Sequence, residues 1–231
     1  MIKAVMLDID DTLLSFNRYV VEAMRLGFEK FGIAEYTSEM YSVFNKINTE
    51  LWKRIERGEI TLEELKRDRW NMIFKYLGID FDGERFEKYF REGLFESAIP
   101  EEGAVDLLKY LQGKYILCAA SNGPYLQQKN RLKVGNMLAY FSEIFVSEEI
   151  GSSKPSESFF AACVERLKLK TGEDIRADEI MMIGDSLSSD MEGGIRFGMK
   201  TCFYNPGKKT VPDGMRIDHQ VSSLSEIKNI L

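Results

Sequence analysis

Histidine is nearly absent from the 231-residue chain, in which His219 stands alone. This excludes a metal site built on several histidines and a catalytic relay between two histidines. Cysteine is also scarce, and Cys118, Cys163 and Cys202 are too scattered to form a typical metal site. Because Cys118 and Cys202 lie in apolar, strand-like runs, we expect buried free thiols in a reducing compartment.

Long apolar runs and a basic surface are missing as well. No apolar run reaches membrane-spanning length and a strand begins near the N-terminus, so we expect a cytoplasmic protein with no membrane partner. A formal net charge of -6 argues against a nucleic-acid polymer as partner, because a broad interface with one needs excess Lys and Arg. A small anion can still bind at a local positive site. With 44% hydrophobic residues, the chain can bury a core.

Two patterns of apolar residues divide the chain. Residues 16–97 have helical spacing throughout, with no strand signal, and we expect four helices there, capped or opened near Asn17, Ser38, Thr61 and Asp82. From Pro100 onward, short apolar runs of three to six residues alternate with helical segments, which is typical of a doubly wound, mostly parallel sheet. We therefore predict an α/β fold with a Rossmann-like core over residues 1–15 and 98–231 and an all-helical insertion over residues 16–97.

Two acids follow the first apolar run. Asp8 and Asp10 are two residues apart, so extended backbone would place both carboxylates on one face while Asp11 faces away. Carboxylates that close repel each other unless a cation lies between them, and Mg²⁺ is the hard divalent ion that suits such ligands. Taken alone, this stretch is equally typical of an acidic turn.

Polar residues also follow three later strands. They are Ser121, Asn122 and Gly123 after the second strand, Lys154 after the third, and Asp185 and Asp190 after the fourth. Because the carboxyl ends of parallel strands meet at one edge of a sheet, we expect these residues to share a site. A carboxylate can attack phosphorus, a hydroxyl and a lysine can hold the phosphoryl oxygens, and further carboxylates can bind Mg²⁺.

These four stretches resemble the ordered motifs of the haloacid dehalogenase-like superfamily. The matching segments are Asp8-Ile9-Asp10-Asp11-Thr12, Ser121-Asn122-Gly123, Lys154-Pro155 and Gly184-Asp185-Ser186-Leu187-Ser188-Ser189-Asp190. The resemblance implies that residues 16–97 are the helical cap of such enzymes. The dehalogenases lack the second acid, present here as Asp10, so the resemblance implies phosphoryl transfer and not cleavage of a carbon–halogen bond.

The resemblance also implies catalytic and metal-binding roles. Asp8 would be the nucleophile, and Asp10 would protonate the leaving oxygen and later activate water. Lys154 would be the third catalytic residue, beside Asp8 and Asp10. Asp8, the main-chain carbonyl of Asp10, and Asp185 would hold Mg²⁺.

The remaining motif residues would support these groups. Ser121, Asn122 and Lys154 would bind the transferring phosphoryl group. Asp190 would orient Lys154 or a water on the metal. Thr12 would steady the loop that follows the first strand.

Other stretches resemble a narrower branch, the house-cleaning pyrimidine nucleoside 5′-monophosphate phosphatases. They are Asn48-Thr49-Glu50-Leu51-Trp52, Gly58-Glu59-Ile60-Thr61, Gln127-Gln128 with Arg131-Leu132, and Ser147-Glu148-Glu149-Ile150-Gly151. The implied partner is a small phosphorylated metabolite, either a nucleoside monophosphate or a sugar phosphate, bound by a monomer or homodimer. Tyr41, Phe44, Trp52 and Trp70 could stack on a base, although aromatic residues at helical spacing are more often core.

Two alternatives to a nucleotide phosphatase stay open. A sugar-phosphate mutase would need a second phosphate-binding set in the cap, but Arg54, Lys66, Arg67 and Arg69 are read more simply as a solvated helix face. A non-catalytic binding relative would be expected to lack the nucleophile or the lysine, and both are present.

Overall fold

The computed structural model describes all residues from Met1 to Leu231 and divides into two compact units. One unit comprises Met1–Ser15 and Ala98–Leu231, and the other comprises Phe16–Ser97. No helix of the chain is long and apolar enough to cross a membrane.

The first unit contains one parallel sheet. In chain order its strands are β1 (Ala4–Leu7), β2 (Ile116–Ser121), β3 (Glu143–Val146), β4 (Ile180–Gly184), β5 (Lys200–Tyr204) and β6 (His219–Val221). They lie in the order β3-β2-β1-β4-β5-β6, and every pairing is parallel. The strand order reverses between β1 and β4, and ligands of such sheets bind at the carboxyl ends beside that reversal.

Nine α-helices accompany the strands. They are α1 (Phe16–Phe31), α2 (Ser38–Glu56), α3 (Leu62–Leu77), α4 (Gly83–Glu96), α5 (Ala104–Leu111), α6 (Tyr125–Val134), α7 (Ser147–Ile150), α8 (Glu157–Thr171) and α9 (Glu192–Phe197). The predicted α/β class, with a parallel sheet and an all-helical insertion, is confirmed.

Alternate residues of each strand pack on opposite faces of the sheet, as extended backbone requires. Val5 and Leu7 of β1 belong to a core shared with α5, whereas Ala4 and Met6 belong to a second core shared with α8. Both cores consist of fully or nearly fully buried side chains. The sheet is therefore covered on both faces, which leaves its carboxyl edge as the place for polar chemistry.

The predicted helix starts differ from the structure in two places. The N-cap of α2 is Thr37, one residue before the predicted Ser38, and its side chain makes no capping hydrogen bond. The sequence also predicts a helix from about Asp190 to Phe197, but it begins earlier, as a π-helical turn over Leu187–Met191 that leads into α9. The predicted caps at Thr61 and Asp82 are confirmed, because both side chains accept main-chain hydrogen bonds.

The helical unit has an aromatic core of its own. Trp70 and Phe86 lie at its centre with ring centroids 4.3 Å apart, and both side chains are fully buried. Phe44 and Phe90 also pack against Trp70. Burial makes Phe44 and Trp70 core residues and removes them as candidates for stacking on a base.

The prediction that Arg69 lies on a solvated helix face is wrong, because this residue of α3 is buried. Its guanidinium donates to Glu87 Oε1 at 2.7 Å and to Asn48 Oδ1 at 2.9 Å, and it lies over the ring of Phe90. Arg69 follows Leu65 by one helical turn on the buried face of the helix. A buried carboxylate partner makes its burial tolerable, because an unpaired charge there would be strongly unfavourable.

The centre of the aromatic core gives a stability prediction. Phe86→Ala should lower the free energy of unfolding by about 3–5 kcal/mol, because the cavity would lie among several rings that cannot collapse. Phe95→Ala is the matched control on the same helix, since that side chain is 37% exposed, and should cost about 1 kcal/mol or less. Urea unfolding followed by tryptophan fluorescence and circular dichroism measures both. Equal losses would contradict the central place of Phe86.

Candidate active site

The polar residues predicted to share a site come together at the carboxyl edge of the sheet. Asp8 directly follows β1, Ser121 ends β2, and Asp185 directly follows β4. Lys154 lies in the loop between α7 and α8 and reaches the same edge, where its Nζ atom contacts Asp8. Because the parallel strands end at the same edge of the sheet, residues that are far apart in the chain lie close together there.

The Lys154 ammonium is the centre of the cluster. It donates to Asp8 Oδ1 at 2.6 Å, to Asp190 Oδ1 at 2.7 Å and to the Ala120 carbonyl oxygen at 2.7 Å. An ammonium has three donors, so each has a partner. Lys154 is 1% exposed and Asp190 is completely buried. The contact expected between Asp190 and Lys154 is therefore present.

The charges of the cluster shift its pKa values. Burial alone would lower the pKa of the Lys154 ammonium, but the charges of Asp190 and Asp8 outweigh burial, so the pKa is raised. Burial raises the pKa of Asp8 well above its ordinary value, and Asp190 and Asp185 add to the effect while Lys154 opposes it. The lysine is therefore firmly charged, whereas burial and the neighbouring carboxyl groups disfavour ionisation of Asp8.

Asp185 meets a second cation. Its Oδ2 atom and its main-chain oxygen accept hydrogen bonds from Lys209 Nζ at 2.9 and 2.8 Å. Burial raises the pKa of Asp185 to about 6, against the opposing charge of Lys209. Because the Lys209 side chain is 53% exposed, this pair is much closer to solvent than the Lys154 pairs.

The donor set fits a hard divalent cation. Asp8, Asp185 and Asp190 each offer an oxygen, and these atoms lie within 4.8 Å of one another. Carboxylate oxygens are the ligands that Mg²⁺ prefers, and a divalent ion would stabilise the ionised forms of these acids. The Asp10 carboxylate is not part of this group, and the expected contribution of its main-chain carbonyl stays a prediction.

The Asp10 carboxylate is held from the other side of the edge. Gln128 Nε2 donates to Asp10 Oδ2 at 2.6 Å, and Arg131 Nη1 donates to Asp10 Oδ1. Gln128 Nε2 also donates to Ser121 Oγ at 2.7 Å. Gln128 and Arg131 both come from α6 and are completely buried. The two acids of the opening motif therefore have different partners.

Asn122 holds the main chain of Lys154. Its Nδ2 atom donates to the Lys154 carbonyl oxygen, and its Oδ1 atom accepts from the Lys154 N–H, both at 2.9 Å. The side-chain amide thus fixes the segment that carries the lysine. The contact predicted between Asn122 and a substrate phosphate stays a prediction, as does that of Ser121.

The loop after β1 is held by main-chain hydrogen bonds. Leu13 and Leu14 donate to the Ile9 carbonyl oxygen at 2.9 Å, and Asp11 N–H donates to the Leu14 carbonyl oxygen. Thr12 is completely buried, but its hydroxyl makes no hydrogen bond, so it does not steady the loop in that way. Asp11 has a φ of 56°, a left-handed conformation that Asp and Asn adopt more readily than most residues.

Three residues at this edge were not among the predicted site residues. Gln128 and Arg131 are polar residues three apart on a helix, on the same side as the buried Leu132, and that pattern was a usable signal. Lys209 lies in a polar loop after β5 and meets Asp185 across 24 residues of sequence, so no local pattern indicated it.

Comparison with known proteins assigns the family. The model of the haloacid dehalogenase-like hydrolases matches residues 2–198. The chain belongs to this family. The family assignment made from the four motifs is thus confirmed, and the expected class of enzyme is a hydrolase.

Several known proteins match most of the length of the chain. YfnB of Bacillus subtilis is 32% identical over 229 residues, which cover 99% of this chain and 95% of YfnB. A structure of YfnB bound to magnesium has a TM-score of 0.89 and covers 100% of this chain and 98% of that chain. The pyrimidine 5′-nucleotidase PynA of Streptococcus pneumoniae is 31% identical, covering 88% of this chain and 84% of PynA. The pyrimidine 5′-nucleotidase YjjG of Escherichia coli is 28% identical, covering 97% and 95%.

The buried lysine gives a prediction on stability. At neutral pH and without divalent ions, Lys154→Met should lower the free energy of unfolding by about 3–5 kcal/mol, because two buried carboxylates lose their cation. Lys209→Met is the matched control and should cost about 1 kcal/mol or less, because its pair with Asp185 is half-exposed. Urea unfolding followed by circular dichroism measures both. A loss no larger for Lys154→Met than for Lys209→Met would contradict this account.

Proposed function

We propose that the chain is a Mg²⁺-dependent phosphomonoesterase that acts through an aspartyl-phosphate intermediate on nucleoside 5′-monophosphates, preferably pyrimidine nucleotides. The observation that carries the proposal is the contrast between Asp8 and Asp10. The Asp8 side chain is 11% exposed and bonded to the Lys154 ammonium, whereas the Asp10 side chain is 33% exposed and bonded to α6. Two neighbouring carboxylates with such different surroundings suit the separate tasks of attack and proton transfer.

The proposed reaction has two steps. In the first, an Asp8 oxygen attacks phosphorus, the bond from phosphorus to the leaving oxygen breaks, and Asp10 gives that oxygen its proton. In the second, Asp10 takes a proton from water, the water oxygen attacks phosphorus, and the bond between phosphorus and the Asp8 oxygen breaks, which releases inorganic phosphate and restores the Asp8 carboxylate. Lys154 stabilises the phosphoryl charge as a buried cation beside Asp8. Mg²⁺ held by Asp8 and Asp185 would neutralise negative charge on the phosphoryl oxygens.

The choice of nucleotides rests mainly on the relatives PynA and YjjG. Among the aromatic candidates for base stacking, Tyr41 and Trp52 are partly exposed and stay candidates. The sugar-phosphate mutase alternative loses one of its four basic candidates, because Arg69 is buried against Glu87. A non-catalytic binding protein would not need a hydrogen bond from Lys154 to Asp8, and that hydrogen bond is present.

The nucleophile gives the first test. With Mg²⁺, the protein should release inorganic phosphate from uridine, cytidine and thymidine monophosphates with higher kcat/KM than from hexose or triose phosphates. Asp8→Asn should lower kcat by about 10³-fold or more, because a neutral amide is a far poorer nucleophile than a carboxylate. Asp11→Asn is the matched control and should stay within about twofold, since Asn suits the same left-handed backbone.

Two outcomes would count against this function. Phosphate release that survives Asp8→Asn would contradict the aspartyl-phosphate mechanism. Faster hydrolysis of sugar phosphates than of all nucleotides would contradict the proposed substrate class. The proposed aspartyl-phosphate mechanism would be unaffected.

The metal gives a test that does not depend on activity. Mg²⁺ at about 100 times its Kd should raise the thermal unfolding midpoint by roughly 5–10 °C, because the ion binds only the folded site. Asp185→Asn should reduce that shift, since it removes one ligand charge, whereas Asp213→Asn, on an exposed loop, should leave it unchanged. A full shift in Asp185→Asn would show that the ion binds elsewhere.

A further inference from the structure

Two buried polar residues of α6 end on the carboxylate assigned to proton transfer. We propose that Gln128 and Arg131 are positioning residues that hold Asp10 in the orientation needed to protonate the leaving oxygen. The inference rests on the proposed function, because it gives these residues a task in that reaction. Neither belongs to the four motifs.

The contacts fix both oxygens of Asp10 separately. Gln128 Nε2 donates to Oδ2 at 2.6 Å and Arg131 Nη1 donates to Oδ1. Arg131 Nη1 also donates to Gln128 Oε1 at 3.0 Å, so the two side chains hold each other as well. A carboxylate held at one oxygen can still rotate about its last bond, but one held at both oxygens cannot. The plane of the Asp10 carboxylate is therefore set by α6.

This arrangement leaves Asp10 able to carry a proton. Each carboxylate oxygen has two lone pairs, so one hydrogen bond to each oxygen leaves the other pair available. The Asp10 side chain is 33% exposed although the Arg131 side chain beside it is only 1% exposed. The donors thus approach from the protein interior, and the outer side of the carboxylate stays open to a substrate.

Gln128 also sets the spacing between the acid and a predicted phosphate contact. Its Nε2 atom donates to Ser121 Oγ at 2.7 Å as well as to Asp10. Gly123 admits the amide, because a Cβ at that position would lie 2.6 Å from Nε2. One side chain therefore links the group that would receive the phosphoryl oxygens to the group that would protonate the leaving oxygen.

If Gln128 and Arg131 only stabilised the fold, their substitution would affect two types of substrate equally. If they position Asp10, the loss should depend on the leaving group. Proton donation matters most for a basic leaving group such as the 5′-oxygen of a nucleoside, and little for p-nitrophenolate. The value of kcat/KM reports the steps through departure of the leaving group, whereas kcat also reports hydrolysis of the phospho-enzyme. Damage to the fold or to the phosphate site would lower kcat/KM for both substrates alike.

The experiment compares uridine monophosphate with p-nitrophenyl phosphate in Arg131→Met, Gln128→Met and Arg131→Lys. We expect kcat/KM for uridine monophosphate to fall about 10²-fold in the two Met variants and that for p-nitrophenyl phosphate to fall less than about fivefold. Arg131→Lys should recover part of the loss, because an ammonium can still donate one bond to Asp10. Lys133→Met, on the exposed side of the same helix, is the control and should match the parent protein.

A second measurement keeps the test valid if Arg131→Met folds poorly. Added to Asp10→Asn, the Gln128→Met change should cause no further loss of kcat/KM through Asp10, and any remaining loss through its contact with Ser121 should be the same for uridine monophosphate and p-nitrophenyl phosphate. Equal losses for both substrates, or full additivity with Asp10→Asn, would overturn the positioning role and leave the proposed function in place. No phosphate release from either substrate by the parent protein would overturn both.

Discussion

The buried Lys154 ammonium is the interaction on which the rest of the site depends. Its three hydrogen bonds end on Asp8, Asp190 and the Ala120 carbonyl, which follow or belong to three neighbouring strands of the sheet. A buried ammonium without these acceptors would cost several kcal/mol, so the three segments must stay in register. Gly184 takes part in this arrangement, because any side chain there would overlap the Asp190 carboxylate. The π-helical turn over Leu187–Met191 then presents Asp190 to the lysine, and such turns often occur at functional sites.

Asp8 and Asp10 are two residues apart in the opening motif, but their physical environments differ. Asp8 lies among buried charges of both signs, whereas Asp10 turns toward donors from α6 and keeps part of its surface in solvent. Spacing of two residues places both acids at the same strand end, but the neighbouring elements decide what each can do. The loop that carries Asp10 is fixed by main-chain hydrogen bonds, with Asp11 in a left-handed conformation.

The sequence allowed prediction of most of the architecture and of the central charged groups. Five strands were visible as apolar runs, but β6 was missed because it is three residues long and begins with the exposed pair His219 and Gln220. Asp8, Lys154, Asp185 and Asp190 follow from the rule that polar residues after parallel strands converge. Arg69 was misjudged because helical periodicity does not reveal Glu87, which lies 18 residues away in sequence. The contact from Gln128 to Asp10 spans 118 residues, a pairing that only the fold establishes.

The reciprocal pairing of Asn122 with the Lys154 main chain has a consequence for sequence variation. The amide bonds both the N–H and the C=O of Lys154, as the backbone of a neighbouring strand would. The lysine is therefore anchored to the end of β2, independently of how many residues connect it to α7. We therefore expect insertions or deletions within the connecting segment 151–153 to change its path while the ammonium keeps its position. A hydrolase built in this way can accumulate differences in loop length beside its reaction centre while the position of its central cation stays the same.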